Sequence, residues 1–129
     1  MTVCPFCNLS AERVVHSTGH SVVIRDLYPV SPGHTLIVPK RHIARFGETT
    51  DTERRDLLEV LEYMRAQLLK ELAPDGFNIG INDGEAAGQT VAHLHVHLIP
   101  RYAGDHPSPQ GGIRQIIPWK ADYPRGPRP

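Results

Sequence analysis

Apolar positions fall into short β-branched or alternating runs, broken by turn residues, around one long helical stretch. Arg13–His16 and Ser21–Asp26 predict strands, carried by Val14, Val15, Val22, Val23 and Ile24. Ser17-Thr18-Gly19-His20 between them predicts a hairpin turn. Two prolines and a glycine make 28–33 a loop, after which His34–Val38 reads as a buried strand stopped by Pro39. Leu57, Leu61, Met64, Leu68 and Leu72 recur at helical spacing, one apolar stripe of a helix from about Asp51 to Leu72. Thr50 and Glu53 have capping-box spacing at its start, and Pro74-Asp75-Gly76 ends it. Phe77–Ile81 and Val91–Ile99 predict two more strands, joined by a glycine-rich loop over 82–88. The expected architecture is α+β with a largely antiparallel sheet. The expected organisation is a single domain over 1–129, with a Pro/Gly-rich tail from about residue 103.

Composition narrows the function classes. With 129 residues, the chain is one domain's worth and buries a core without needing a disulfide or metal to do so. Its 14 Lys+Arg balance 14 Asp+Glu, which argues against a nucleic-acid binder. No apolar run approaches membrane-spanning length, and Met1-Thr2-Val3-Cys4-Pro5 lacks the regions of a signal peptide. The expected location is the cytoplasm, with no membrane partner.

The most informative segment is His93-Leu94-His95-Val96-His97-Leu98-Ile99. On a strand, side chains alternate faces, so the three histidines share one face and Leu94, Val96 and Leu98 the other. A solvent-facing strand that carries histidine by chance is the bland reading; a three-histidine metal site is another. The strand suits convergence on one ion poorly, because its outer side chains start about 13 Å apart. Upstream, 82–90 supplies glycines that let backbone N–H groups approach an anion, with Gln89 and Thr90 as donors. Donors beside nucleophile-capable imidazoles suit phosphoryl or nucleotidyl transfer.

The run Gly88-Gln89-Thr90-Val91-Ala92-His93-Leu94-His95-Val96-His97-Leu98-Ile99-Pro100-Arg101 resembles the signature of the histidine-triad (HIT) superfamily. Asp26-Leu27 and Gly33–Ile43 match two further family blocks, in order. The resemblance implies a HIT-like fold: a five-stranded antiparallel sheet with one long helix and a short one, dimerising into a continuous sheet. It implies a purine nucleotide substrate and a covalent nucleotidyl-histidine intermediate. His95 would be the nucleophile, with His97, Gln89 and His34 completing the catalytic group. Asp26, Leu27, Asn82, Gly88 and Thr90 would bind substrate. His97, where one transferase branch carries glutamine, implies a hydrolase acting at the α-phosphate of dinucleoside polyphosphates or nucleoside phosphoramidates. Arg114, in a tail like that of bacterial HIT hydrolases, reads either as a distal-phosphate ligand or as a surface arginine. A nucleotide-binding sensor with little turnover, and a zinc hydrolase using the triad as ligands, stay open beside the leading reading.

Cys4-Pro5-Phe6-Cys7 copies a dithiol motif, but only Met1-Thr2-Val3 precede it, too short for the strand such a redox site needs. Two thiolates need two more ligands for tetrahedral zinc. Bacterial HIT proteins with this motif imply His42 and His93 as those ligands, giving a structural Zn2+ site of Cys4, Cys7, His42 and His93. His16, His20 and His106 have no evident partner and read as surface residues.

Overall fold

The structure, a computed structural model, describes residues 3–124. The N-terminal hairpin forms as its β-branched residues dictate: β1 (Val14–Ser17) pairs antiparallel with β2 (Ser21–Arg25). Its turn is anchored from a distance, since Thr18 and Ser21 hydroxyls both donate to Asp56, at 2.7 and 2.5 Å. Strand β3 (Thr35–Pro39) follows, then helix α1 (Asp51–Leu72), β4 (Gly76–Gly80) and β5 (Val96–Arg101). The five strands form one antiparallel sheet in the order β1-β2-β3-β5-β4. Beside α1 the only helical segments among the described residues are 3-10 turns, such as Gly112–Ile116, where a short second helix was expected.

Helix α1 starts and ends for local reasons. The Thr50 hydroxyl accepts from the Glu53 N–H at 3.1 Å, and the Glu53 carboxylate accepts from the Thr50 N–H at 2.9 Å. The helix closes at Ala73, in left-handed backbone with φ 48°. Its buried stripe is Leu57, Val60, Met64 and Leu68, packed on Val23, Ile37, Leu94, Val96 and Leu98. Val60 thus joins the expected stripe, and Leu72 lies largely exposed at its end. Ile24, Leu36 and Val38 form a smaller cluster with Phe6 and Leu9.

Two boundaries differ from the sequence expectation. Strand β5 begins at Val96 rather than Val91, because the backbone before it pairs elsewhere: the Leu94 N–H donates to the Ile43 carbonyl at 2.7 Å. The strand also runs through Pro100. Its pairing with β3 ends at Leu98, so proline's missing N–H breaks no ladder bond on that side.

Glu53 does more than cap. Arg41 donates to its carboxylate twice, from Nε at 3.1 Å and Nη2 at 2.8 Å, tying the segment after β3 to the helix start. These bonds and the Thr50 amide pull the Glu53 carboxyl down to about 2. Its folded value lies below its unfolded one, so the stabilisation is present above about pH 4.5 and is lost as pH falls towards 2. Because Arg41 is half-exposed, solvent reduces the effect. Glu53→Gln is expected to cost about 1–3 kcal/mol at pH 7 in urea unfolding, and the deficit should shrink at acid pH.

Candidate functional site

The site lies on the sheet face opposite α1. Alternation along β5 sends Val96 and Leu98 into the helix-side core and His97 to the other face, where it meets β3. Gly33 brings the chain into β3: it has φ +87°, and a Cβ there would sit 2.7 Å from the Leu72 side chain. His34 follows it, buried beneath the triad.

A chain of hydrogen bonds assigns the ring protons. The Val30 N–H donates to His34 Nδ1 at 3.1 Å, so the neutral His34 ring carries its proton on Nε2. That Nε2–H faces His97 Nδ1 at 2.9 Å, which leaves the His97 proton on Nε2. Separately, His95 Nδ1–H donates to the His93 carbonyl at 2.8 Å, so His95 Nε2 keeps a free lone pair. The His95 and His97 rings lie edge to face, 5.1 Å between centroids.

Burial favours the neutral forms of His34 and His97. Desolvation, helped by the His95 and His34 charges, pulls His97 down to about 4, against the opposing pull of Asp26. Burial also lowers His34, again opposed by Asp26, whose Oδ2 lies 3.5 Å from His34 Nε2. Between about pH 6.5 and 4 the unfolded chain therefore binds more protons at His97 than the folded one. Acid favours unfolding across that window. His97→Gln should lose less stability than the parent between pH 7 and 4.5, by about 1–3 kcal/mol in paired urea titrations.

A cavity of about 350 Å³ opens beside these rings, lined by Phe6, Asp26, Leu27, Asn82, Thr90, His95 and His97 among others. Of the residues singled out in the sequence, Asp26, Leu27, Asn82, Thr90, His95 and His97 therefore meet in one place. Asp26 is fixed by accepting the Tyr28 N–H at 2.8 Å. Gly88 lines the adjoining cavities. Phe6 was not anticipated. It stands edge to face against both His93 and His95, with centroids 5.8 and 5.1 Å away. Its place between Cys4 and Cys7 was the available signal.

Gln89 and Arg114 both carry hydrogen bonds to backbone groups. The Gln89 amide donates to the Ala44 and Val91 carbonyls, at 2.8 and 3.0 Å, and accepts from the Gly84 N–H at 2.8 Å. It braces the glycine loop against the segment after β3. The Arg114 guanidinium donates to the Lys120 and Ala121 carbonyls and lies over the Tyr123 ring, inside the tail. His16, expected to lack a partner, stacks on Tyr63 at 4.5 Å.

The N-terminal cysteines meet the triad from behind. His93 Nε2–H donates to the Pro39 carbonyl at 2.8 Å, which turns an Nδ1 lone pair towards Cys4 and Cys7, at 3.4 and 3.6 Å. His42 Nδ1 lies 3.2 Å from Cys7 Sγ and 3.1 Å from His93 Nδ1. Ligands about 2.0–2.3 Å from a tetrahedral zinc ion stand about 3.3–3.8 Å from each other. Cys4, Cys7, His42 and His93, whose donor atoms all lie within 4.8 Å of one another, fit such an ion and could bind a metal. His93 therefore belongs to this cluster rather than to the row shared by His95 and His97.

Comparison with known proteins points to one family. The HIT domain family model matches residues 9–104. The nitrilase and fragile-histidine-triad fusion protein NitFhit of Caenorhabditis elegans superposes with TM-score 0.75 at 42% identity, over 78% of this chain and 24% of that one. The asymmetrical bis(5′-nucleosyl)-tetraphosphatase of Schizosaccharomyces pombe is 39% identical over 94 residues, 73% of this chain and 52% of the relative. The chain thus spans a quarter to a half of these two relatives. A zinc-bound histidine-triad protein of Mycobacterium smegmatis superposes with TM-score 0.68 at 35% identity, over 74% and 69% of the two chains. A family-model match over most of the chain, with a fold shared at 42% identity, makes this protein a member of the HIT domain family.

Proposed function

We propose that the protein is a nucleotidyl hydrolase acting at the α-phosphate of nucleoside 5′-phosphate derivatives. The observation that carries the reading is the His95 tautomer: Nδ1–H is held by the His93 carbonyl, and Nε2 is a free nucleophile in a ring that lines the cavity. Relatives named as a tetraphosphatase and as diadenosine tetraphosphate phosphorylases support nucleotide chemistry of this kind.

The nucleoside occupies the 350 Å³ cavity, its ribose hydroxyls on Asp26 and its base between Leu27 and Phe6. Asn82, Thr90 and the Gly88 backbone face the phosphate. His95 Nε2 gives its lone pair to the α-phosphorus, and the bond to the leaving group breaks with its electron pair. His97 Nε2–H donates a hydrogen bond to the departing atom, and an amine leaving group takes its proton from solvent. His34 holds His97 in that tautomer. Water then attacks the phosphorus, returning the neutral His95 ring and a nucleoside monophosphate. Gln89 positions the glycine loop rather than donating to the phosphate.

Zn2+ on Cys4, Cys7, His42 and His93 is structural: it contributes folding free energy and fixes His93, whose carbonyl orients His95. A thiolate metal centre suits a reducing, cytoplasmic setting. Among the described residues, no helix is long and apolar enough to cross a membrane. Strand β4 leaves one edge unpaired among the described residues, beside the exposed Leu58 and Ile79, and this edge serves a homodimer with a continuous sheet.

The test is turnover of adenosine 5′-phosphoramidate and diadenosine tetraphosphate, followed by chromatography. Release of AMP by the parent, and not by His95→Ala, is expected. Nucleotide binding without any release would favour a sensor instead.

A further inference from the structure

A second cavity, about 540 Å³, meets the nucleoside cavity at His97 and Asn82, which line both. It runs along β5 to Ile99 and is walled by the tail through Ile113, Ile116 and Ile117. All three isoleucines are exposed. Ile113 reaches within 3.5 Å of the Gly80 position, directly across the ladder from His97. The Gly111-Gly112 pair, both at positive φ, folds the tail there, and a Cβ at Gly111 would sit 2.9 Å from the Ala121 carbonyl.

Among the described residues lining this cavity there is no lysine, arginine, aspartate or glutamate. The nearby cations are already engaged. Arg101 is paired with Asp105 at 2.7 Å and donates to Asn78. Arg114 is turned into the tail by the Lys120 and Ala121 carbonyls. A phosphate chain entering here would lose water without gaining a countercharge, whereas an apolar group would bury surface. Arg45, a cation beside the glycine loop, lines a different cavity with Gln89 and Thr90.

We propose that the tail makes this cavity the leaving-group site and selects uncharged, apolar leaving groups, chiefly aryl- or alkylamines, over phosphate chains. This deepens the reading above and rests on it. In the reaction, the amine departs with the electron pair of its bond to phosphorus and gains one proton, and water supplies the oxygen of the monophosphate.

The test compares kcat/KM of the full chain for four substrates: unsubstituted adenosine 5′-phosphoramidate, its phenethylamine derivative, the same derivative with a ring carboxylate, and diadenosine tetraphosphate. The neutral aryl substrate should exceed the unsubstituted and carboxylate ones by about tenfold or more. In Ile113→Lys the carboxylate penalty should vanish or reverse, and Ile117→Lys should act in the same sense. Ratios between substrates within one variant cancel any loss of folded protein. Equal rates on the neutral and carboxylate substrates overturn the assignment. So does a preference for the tetraphosphate that Arg45→Ala removes, which would place the leaving group on the Arg45 side. No release from any of the four overturns the nucleotidyl hydrolase reading as well.

Discussion

His95→Ala should lower kcat/KM by about 10⁴-fold or more while leaving the fold in place. The size follows from its role. Without the imidazole there is no nucleophile to split the displacement, and only binding and electrostatic help remain. The ring is buried, so some stability is lost with it, about 1–2 kcal/mol, or roughly 4–8 °C in Tm. His97→Ala should behave differently. His97 Nε2–H is a single donor to the departing atom, so the variant should lose about 10²–10³-fold on phosphoramidates and less on substrates whose leaving phosphate is stable as an anion. Steady-state kinetics on both classes checks the contrast. Equal losses on both would make His97 a phosphate ligand only.

Cys4→Ser or Cys7→Ser should remove the metal and more than about 4 kcal/mol of stability. The parent should contain one zinc per chain by elemental analysis, and the variants well under a tenth of that. In a chain of this size such a loss lowers Tm by more than about 10 °C. His97→Ala should keep its zinc, because His97 lies in the Asp26 and His34 cluster and not in the cysteine one. Zinc lost from His97→Ala and retained in Cys4→Ser would reverse the assignment and make the triad the metal site. Activity should also fall on chelation, more slowly than zinc leaves, as the His93 carbonyl loosens its hold on His95.

The helix and the hairpin were legible because local signals set them. The capping box at Thr50 and Glu53 and the β-branched pairs of β1 and β2 act within a few residues. The even positions of the histidine run were legible for the same reason: Leu94, Val96 and Leu98 all enter the core. The fate of His93 was not legible from strand alternation. It depends on Leu94 bonding to Ile43 and on His93 bonding to Pro39, contacts some fifty residues apart in sequence. Family resemblance supplied what alternation could not, by pairing His93 with the cysteines. The hydrogen bonds of Gln89 to the Ala44 and Val91 carbonyls were not legible either, because Ala44 lies 45 residues away in sequence. Arg114 looked free in sequence because the tail that folds back onto it has no periodicity to read. Beyond its position between two cysteines, Phe6 carries no local signal for its place at the cavity, which depends on contacts with His93 and His95 nearly ninety residues away.

The most direct test of the account is the mass of the enzyme during turnover. The protein would be mixed with adenosine 5′-phosphoramidate, quenched in alkali within milliseconds, and analysed intact and as peptides. The account predicts a transient gain of one adenylyl group, carried by the His95 side chain and absent from His95→Ala. Turnover at full rate with no adduct, or an adduct on His34 or His97, would contradict it.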